Sequence, residues 1–174
     1  ERLSPGRFPW CQMTPFTQSL RALEFQGRQF EYHPKWNILG VGTTDGQVCL
    51  VDWEKNKLYD KIDFPPPAVE DEEDDRLPPS VLALSWLHHD PSKILCANSL
   101  GQAVMCQVDV DKDDLGEDTM ALSVHQNYGV VANELTSIHG NCEDALMVSS
   151  GYTKVVRVHD VETGALVRLY SDIH

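Results

Sequence analysis

Apolar and polar residues follow each other along this chain in short runs, and almost nowhere with the 3.6-residue period of an amphipathic helix. Arg28-Gln29-Phe30-Glu31-Tyr32 alternates, and His33-Pro34 ends it. Ile38-Leu39-Gly40-Val41-Gly42 and Val48-Cys49-Leu50-Val51 are apolar runs joined by Thr44-Asp45-Gly46-Gln47, where Asp-Gly fits a tight hairpin turn. Trp53-Glu54-Lys55-Asn56 turns again into Lys57–Ile62, an alternating run with the charges of an edge strand. Short strands between turn residues predict an all-β fold.

The same plan recurs twice. Ser80–Trp86, Lys93–Ala97 and Ala103–Gln107 read as three strands, with His88-His89-Asp90-Pro91 as a surface loop and Ser99-Leu100-Gly101-Gln102 as the turn. Asn133–Ile138, Ala145–Ser150, Val155–Asp160 and Ala165–Tyr170 form a third set. The turn positions are Gly46, Gly101 and Lys154, so 55 and then 53 residues separate them. One propeller blade takes ~40–45 residues. Two acidic insertions account for the excess: 65–79, and a loop from Asp109 to Asp118.

On these residues the chain resembles the WD40 family, whose third strand runs from a turn Gly through Val-x-Leu to Trp-Asp. Gly46-Gln47-Val48-Cys49-Leu50-Val51-Asp52 follows that pattern, as does Lys154-Val155-Val156-Arg157-Val158-His159-Asp160. Gly101-Gln102-Ala103-Val104-Met105-Cys106-Gln107 is the second copy. The Asp is kept twice, and Val51, Cys106 and His159 stand where the family has Trp. Asp45 matches the family's buried turn Asp. The resemblance implies β-propeller blades of four antiparallel strands. It divides the chain into a lead-in segment (1–27), a blade (28–62), an acidic Pro-rich loop (63–79), a blade with an acidic insertion (80–128) and a blade (129–174). Propellers close with 4–8 blades, so three imply an incomplete propeller and a piece of a longer one. Expected buried positions are Phe30, Tyr32, Ile38, Val41, Val48, Leu50, Leu82, Leu84, Trp86, Ile94, Cys106, Leu146, Val148, Val156 and Val158.

Charge narrows the partners. Of 174 residues, 27 are Asp or Glu and 14 are Lys or Arg, a net charge of −13. Such a chain is repelled by nucleic-acid phosphates and by anionic membrane. No apolar stretch approaches the ~20 residues of a membrane helix. Five cysteines without Cys-x-x-Cys spacing read as thiols in a reducing compartment, the nucleus or cytoplasm.

Catalytic, cofactor and metal sites find no motif. There is no Gly-x-Ser-x-Gly, no phosphate loop and no His-Glu-x-x-His. Asp109–Asp118 fails as a calcium loop, because Asp114 and Met120 stand where Gly and Glu are required. His159 reads as packed. The expectation is a non-catalytic scaffold with protein partners, no cofactor, no membrane and no small-molecule substrate. The candidate partner-binding residues are Arg21, Arg28, Lys35, Trp36, Trp53, Glu72 and Asp74. The family resemblance extends to substrate receptors of cullin-RING ubiquitin ligases, whose Trp-Asp-x-Arg ends in an Arg; here Glu54 and Glu162 take that place. The alternative is a nucleic-acid-binding propeller similar to the small subunit of the UV-damaged-DNA-binding complex, with contacts from Arg2, Arg7, Arg21, Arg28 and Lys35.

Overall fold

In the computed structural model of the chain, the structure describes residues 26–66, 78–112, 116, 118–132 and 135–172. Blade 1 is β1 (Gly27–Tyr32), β2 (Ile38–Thr43), β3 (Gln47–Asp52) and β4 (Lys57–Asp63). Blade 2 is β5 (Val81–Trp86), β6 (Lys93–Asn98), β7 (Gln102–Lys112) and β8 (Asp118–Val130). Blade 3 is β9 (Leu135–Gly140), β10 (Leu146–Gly151), β11 (Val155–Asp160) and β12 (Leu166–Ser171). Each blade is a four-stranded antiparallel sheet in chain order.

In blades 1 and 2 the turn between the second and third strands has a hydroxyl or amide at its base. Thr43 Oγ1 accepts from Gln47 N in blade 1, and Asn98 Oδ1 accepts from Leu100 N and Gln102 N in blade 2. Asp45, expected in a buried turn role, is exposed. Residue 43 points into the sheet, and residue 45 stands at the tip in solvent. We call this end of the blades the upper rim. The lower rim carries the turns between the first and second strands and between the third and fourth.

The blades stack through two apolar layers. Ile38, Val48 and Leu50 of blade 1 meet Val81, Leu84, Trp86, Ile94, Cys96, Val104 and Cys106 of blade 2. A Cβ on Gly40 would lie 2.7 Å from Ile94 Cδ1 and 3.4 Å from the Trp86 ring. Gly40 thus lets the larger side chains of blade 2 lie against the blade 1 backbone. The second layer sets Ala83, Leu95, Ala97, Ala103 and Met105 against Leu135, Ile138, Met147 and Val161 of blade 3.

Three expected core residues are exposed: Phe30 at 45%, Tyr32 at 52% and Val148 at 38%. Phe30 and Tyr32 alternate with Glu31, which reaches Trp86 across the blade 1–2 layer, so both face away from blade 2. Val148 alternates with the buried Met147 and Ser149 and faces away likewise. Leu82, Leu146, Val156 and Val158 are half-buried.

The acidic stretch after Val108, expected as a loop, is largely strand. Asp109↔Ala121 through Lys112↔Asp118 pair antiparallel and carry the β7–β8 hairpin beyond the lower rim. Its pairing partner supplies what its own composition does not, because β8 alternates Met120, Leu122 and Val124 with the smaller or polar Thr119, Ala121 and Ser123.

Candidate functional site: the lower-rim groove

The lower rim of blade 1 is organised by two buried polar side chains. His33 ends β1. Its Nδ1 accepts from Lys35 N at 3.0 Å and Trp36 N at 2.7 Å. The proton is therefore on Nε2, which donates to Pro91 O of blade 2 at 2.7 Å. Its ring stacks on Trp36 at 4.3 Å and meets the Trp86 ring edge-on at 4.7 Å. Burial holds its pKa below the ordinary 6.5, although the bond to Pro91 pulls the other way. His33 thus fixes the positions of Lys35 and Trp36.

Asp52 does the same for the β3–β4 turn. Its Oδ1 accepts from Glu54 N at 3.0 Å and Lys55 N at 2.8 Å, and Oδ2 accepts from the Tyr59 hydroxyl at 3.1 Å. Asp160 repeats the cap in blade 3 through Thr163 N and Oγ1, both at 2.7 Å. The kept Asp of the repeat is therefore a turn cap. Glu54 accepts from Asn37 Nδ2 at 2.8 Å and ties the two turns together. Trp53 stands 37% exposed, edge-on to Tyr32 at 6.2 Å.

Between this rim and the β7–β8 hairpin lies a groove of about 390 Å³, lined by Lys35, Trp36, Ile38, Lys55, Tyr59, Val110, Asp118 and Met120 among others. The hairpin is fastened to blade 1 where Leu122 N donates to Asp60 Oδ2 at 2.7 Å. Trp36, Tyr59 and Met120 rest on the blade 1–2 core.

A second cleft of about 440 Å³ occupies the equivalent position between blades 2 and 3. Its carboxylates are largely engaged. Asp90 pairs with Lys93 Nζ at 2.8 Å, and Asp144 accepts from the backbone N–H of His88, His89 and Asp90 at 2.8, 2.6 and 3.1 Å. Burial alone would raise the Asp144 pKa; the three N–H bonds outweigh it, and the carboxyl lies below its ordinary 3.8. His88 and His89 have exposed side chains, as expected of a surface loop. His159 is packed, with Nδ1 3.2 Å from Gly164 O.

Of the sequence candidates, the groove gathers Lys35 and Trp36, and Trp53 stands on the adjoining turn. Arg28 is exposed on β1, away from it. Arg21, Glu72 and Asp74 lie outside the described residues. Sequence reasoning missed the hairpin wall (Val110, Asp118 and Met120) and the anchoring role of His33. The Met120-Leu122-Val124 alternation was the available signal for the first. Among the described residues, no group of three or more His, Cys, Asp or Glu is placed to hold a metal ion, and no helix is long and apolar enough to cross a membrane.

Solved β-propeller structures superpose on this stack of four-stranded antiparallel sheets. The β-propeller domain of Myceliophteria thermophila Cps50 (Swd1) superposes with a TM-score of 0.62 at 15% identity, over 99% of this chain and 48% of that one. The chain has the β-propeller fold. A chain of the mitotic checkpoint complex matches with a TM-score of 0.61 at 13% identity, over 86% of this chain and 38% of its own. In sequence, the Arabidopsis thaliana protein DWD HYPERSENSITIVE TO UV-B 1 is 30% identical over 152 residues. That match covers 84% of this chain but only 18% of the relative. No family model matches. The described blades thus number three, from an architecture that closes with 4–8.

Proposed function

We propose that these WD40-type blades are part of a non-catalytic protein-interaction scaffold and that a partner protein meets them at the lower-rim groove. The observation that carries this reading is an exposed Trp53 next to a groove floored by Trp36, Tyr59 and Met120, on turns fixed by His33 and Asp52. Aromatic anchors on rigid backbone are what protein interfaces are built around. Within that reading, the full-length protein is a substrate receptor of a cullin-RING ubiquitin ligase, in nucleus or cytoplasm. What supports this is the resemblance of the repeat pattern at 46–52 and 154–160 to that of the receptor family. Glu54 and Glu162 replace the Arg of the receptor signature, so the adaptor contact comes from elsewhere in the full-length protein.

Crosslinking of the full-length protein to its cellular partners, read by mass spectrometry, tests the scaffold. The expected result is protein crosslinks at Lys35, Lys55 or Lys57. Crosslinks confined to other surfaces would remove the groove from the interface. Recovery of nucleic acid instead, with binding that collapses steeply as salt rises, would replace the scaffold with the nucleic-acid-binding alternative.

A further inference from the structure

The two ends of the stack differ. On blade 3, the face turned away from blade 2 is open: Val148 is 38% exposed, and Val156 and Val158 beside it are only half-buried. On blade 1 the corresponding face is closed. Leu39 and Val41 of β2 and Cys49 and Val51 of β3 alternate with the residues that meet blade 2, and all four are fully buried. Burial pushes the Cys49 thiol up to about 12 from its ordinary 9.0. Blade 2 lies on the opposite side, and the described apolar residue packed against the four, Leu58, belongs to the same sheet. A sheet cannot hide the middle of its own face, because its side chains stand out from it. Another segment of this chain therefore lies over β2 and β3. It stops short of Phe30 and Tyr32 on β1, which stay about half exposed.

We propose that residues 1–25, which lie outside the described residues, form an apolar cap on this face of blade 1. Their composition suits the role, with Phe8, Trp10, Phe16, Leu20, Leu23 and Phe25 among them. Of the other stretches outside the described residues, 67–77 carries an unbroken acidic run from Glu70 to Asp75, which is costly to bury, and the rest adjoin strands of blades 2 and 3. Attachment fits as well. Gln26 O accepts from Thr44 N at 3.0 Å, so the segment is delivered at the upper rim of blade 1, beside the turn between β2 and β3. From there the four strands span only ~14 Å, which a few extended residues cross at ~3.3 Å each. Charge agrees in sign. Arg2, Arg7 and Arg21 outnumber Glu1 and Glu24, and the carboxylates acting on Cys49 are Asp45, Asp60 and Asp63, opposed by Lys61. The cap occupies the place where a closed ring would set a further blade. Blade 1 thus ends the stack, and further blades of the full-length protein join at the open face of blade 3.

Cys49 reports on the cap in the full-length protein. Its labelling by N-ethylmaleimide, read peptide by peptide in a mass spectrometer, is expected to be slow, as for Cys96 and Cys106 in the blade 1–2 layer, while the exposed Cys142 reacts fast. Trp10→Asp with Phe16→Asp is expected to speed Cys49 labelling about tenfold or more and to leave Cys96 and Cys106 protected. Fast labelling of Cys49 in the parent would overturn the proposal. So would protection that survives the double substitution, which would assign the cover to another segment. If all three buried thiols react together in the variant, the blades themselves have opened, and a photo-crosslinking amino acid in place of the exposed Phe30 decides in the parent sequence. Crosslinks to residues 1–25 support the cap; crosslinks to another blade, or none to 1–25, overturn it. Neither readout involves the lower-rim groove, so the scaffold reading stands or falls separately.

Discussion

The two blade–blade layers bury similar strands by different means. Between blades 1 and 2, large side chains on one wall (Trp86, Ile94, Val81) press against glycines on the other, and shape does most of the holding. Between blades 2 and 3 the blade 2 wall is partly alanine, and polar side chains enter the layer. Arg157 and His159 share a face with Ser149 and Met147, and Arg157 Nη1 and His159 Nε2 are buried without a hydrogen-bond partner. Unsatisfied buried nitrogen is costly, and directed bonds at the rim offset it. The Tyr128 hydroxyl donates to Val161 O at 2.6 Å, and Asp144 gathers its three N–H groups. One repeat plan thus supports a layer of large side chains fitted against glycines and an apolar layer with alanines and buried polar groups, both crossed by hydrogen bonds at the rim.

Removing volume from the first layer is expected to have the largest effect. Trp86→Ala leaves a cavity beside Gly40 and loses the Nε1–H bond to Glu31 O, and should cost about 3–5 kcal/mol in denaturant unfolding. A loss under ~1 kcal/mol would mean that the layer collapses onto the space and is not shape-held.

In the second layer, Asp144→Ala strands three loop N–H groups that water partly reaches, for a loss of about 1–2 kcal/mol. Because the folded carboxyl lies below 3.8, its contribution is complete above that pH and fades as pH falls through the folded value. Parent and variant unfolding curves should therefore converge in acid. Curves that stay parallel to the lowest accessible pH would remove Asp144 as an ionised clamp.

Tyr128→Phe keeps the ring and deletes one bond, which should cost about 1 kcal/mol by the same measurement. An unchanged midpoint would show that Val161 O finds water.

The smallest effect lies in the first layer. Burial pushes the Glu31 carboxyl up to about 6 from its ordinary 4.5, against the opposing bond from Trp86 N. A raised acid is better tolerated protonated, so the fold gains stability as pH falls from about 6 to 4.5. His33 on the same face has a lowered pKa, so it removes stability as pH falls below 6.5. The two oppose each other. Glu31→Gln should add up to about 1 kcal/mol at neutral pH, since Glu31 is only half-buried and solvent screens much of the penalty. It should also expose the His33 loss as a stability decline under pH 6.5. A variant profile as flat as the parent's would contradict this pairing.

Local pattern made the strands legible, and what faces each strand did not. Ile38, Val48, Leu84 and Ile94 were found because alternation and turn residues fix strands locally. Phe30, Tyr32 and Val148 failed because alternation says which residues share a face, and only the stacking order says which face is covered. Gly40 lies within an apolar run in the sequence, and only the stacked neighbour shows it as the place where Ile94 and Trp86 fit. Of the groove, the sequence reading reaches Lys35 and Trp36, with Trp53 on the adjoining turn. The opposite wall belongs to blade 2, more than 50 residues away in sequence, where Asp109–Lys112 reads as solvated loop until its partner strand is seen.

The lower-rim bonds have a consequence for synthesis. Every strand pairing joins neighbours in the chain, whereas His33–Pro91 and His88–Asp144 span 58 and 56 residues. Hairpins close in about 1–10 μs, long before a ribosome adding roughly 5–20 residues per second delivers the next blade. Each new sheet therefore waits on the order of 3–10 s with one apolar face in water before its neighbour's loop can reach back and lock it. For that interval the blade is most open to capture by another nascent chain, and the His33 and Asp144 clasps close it.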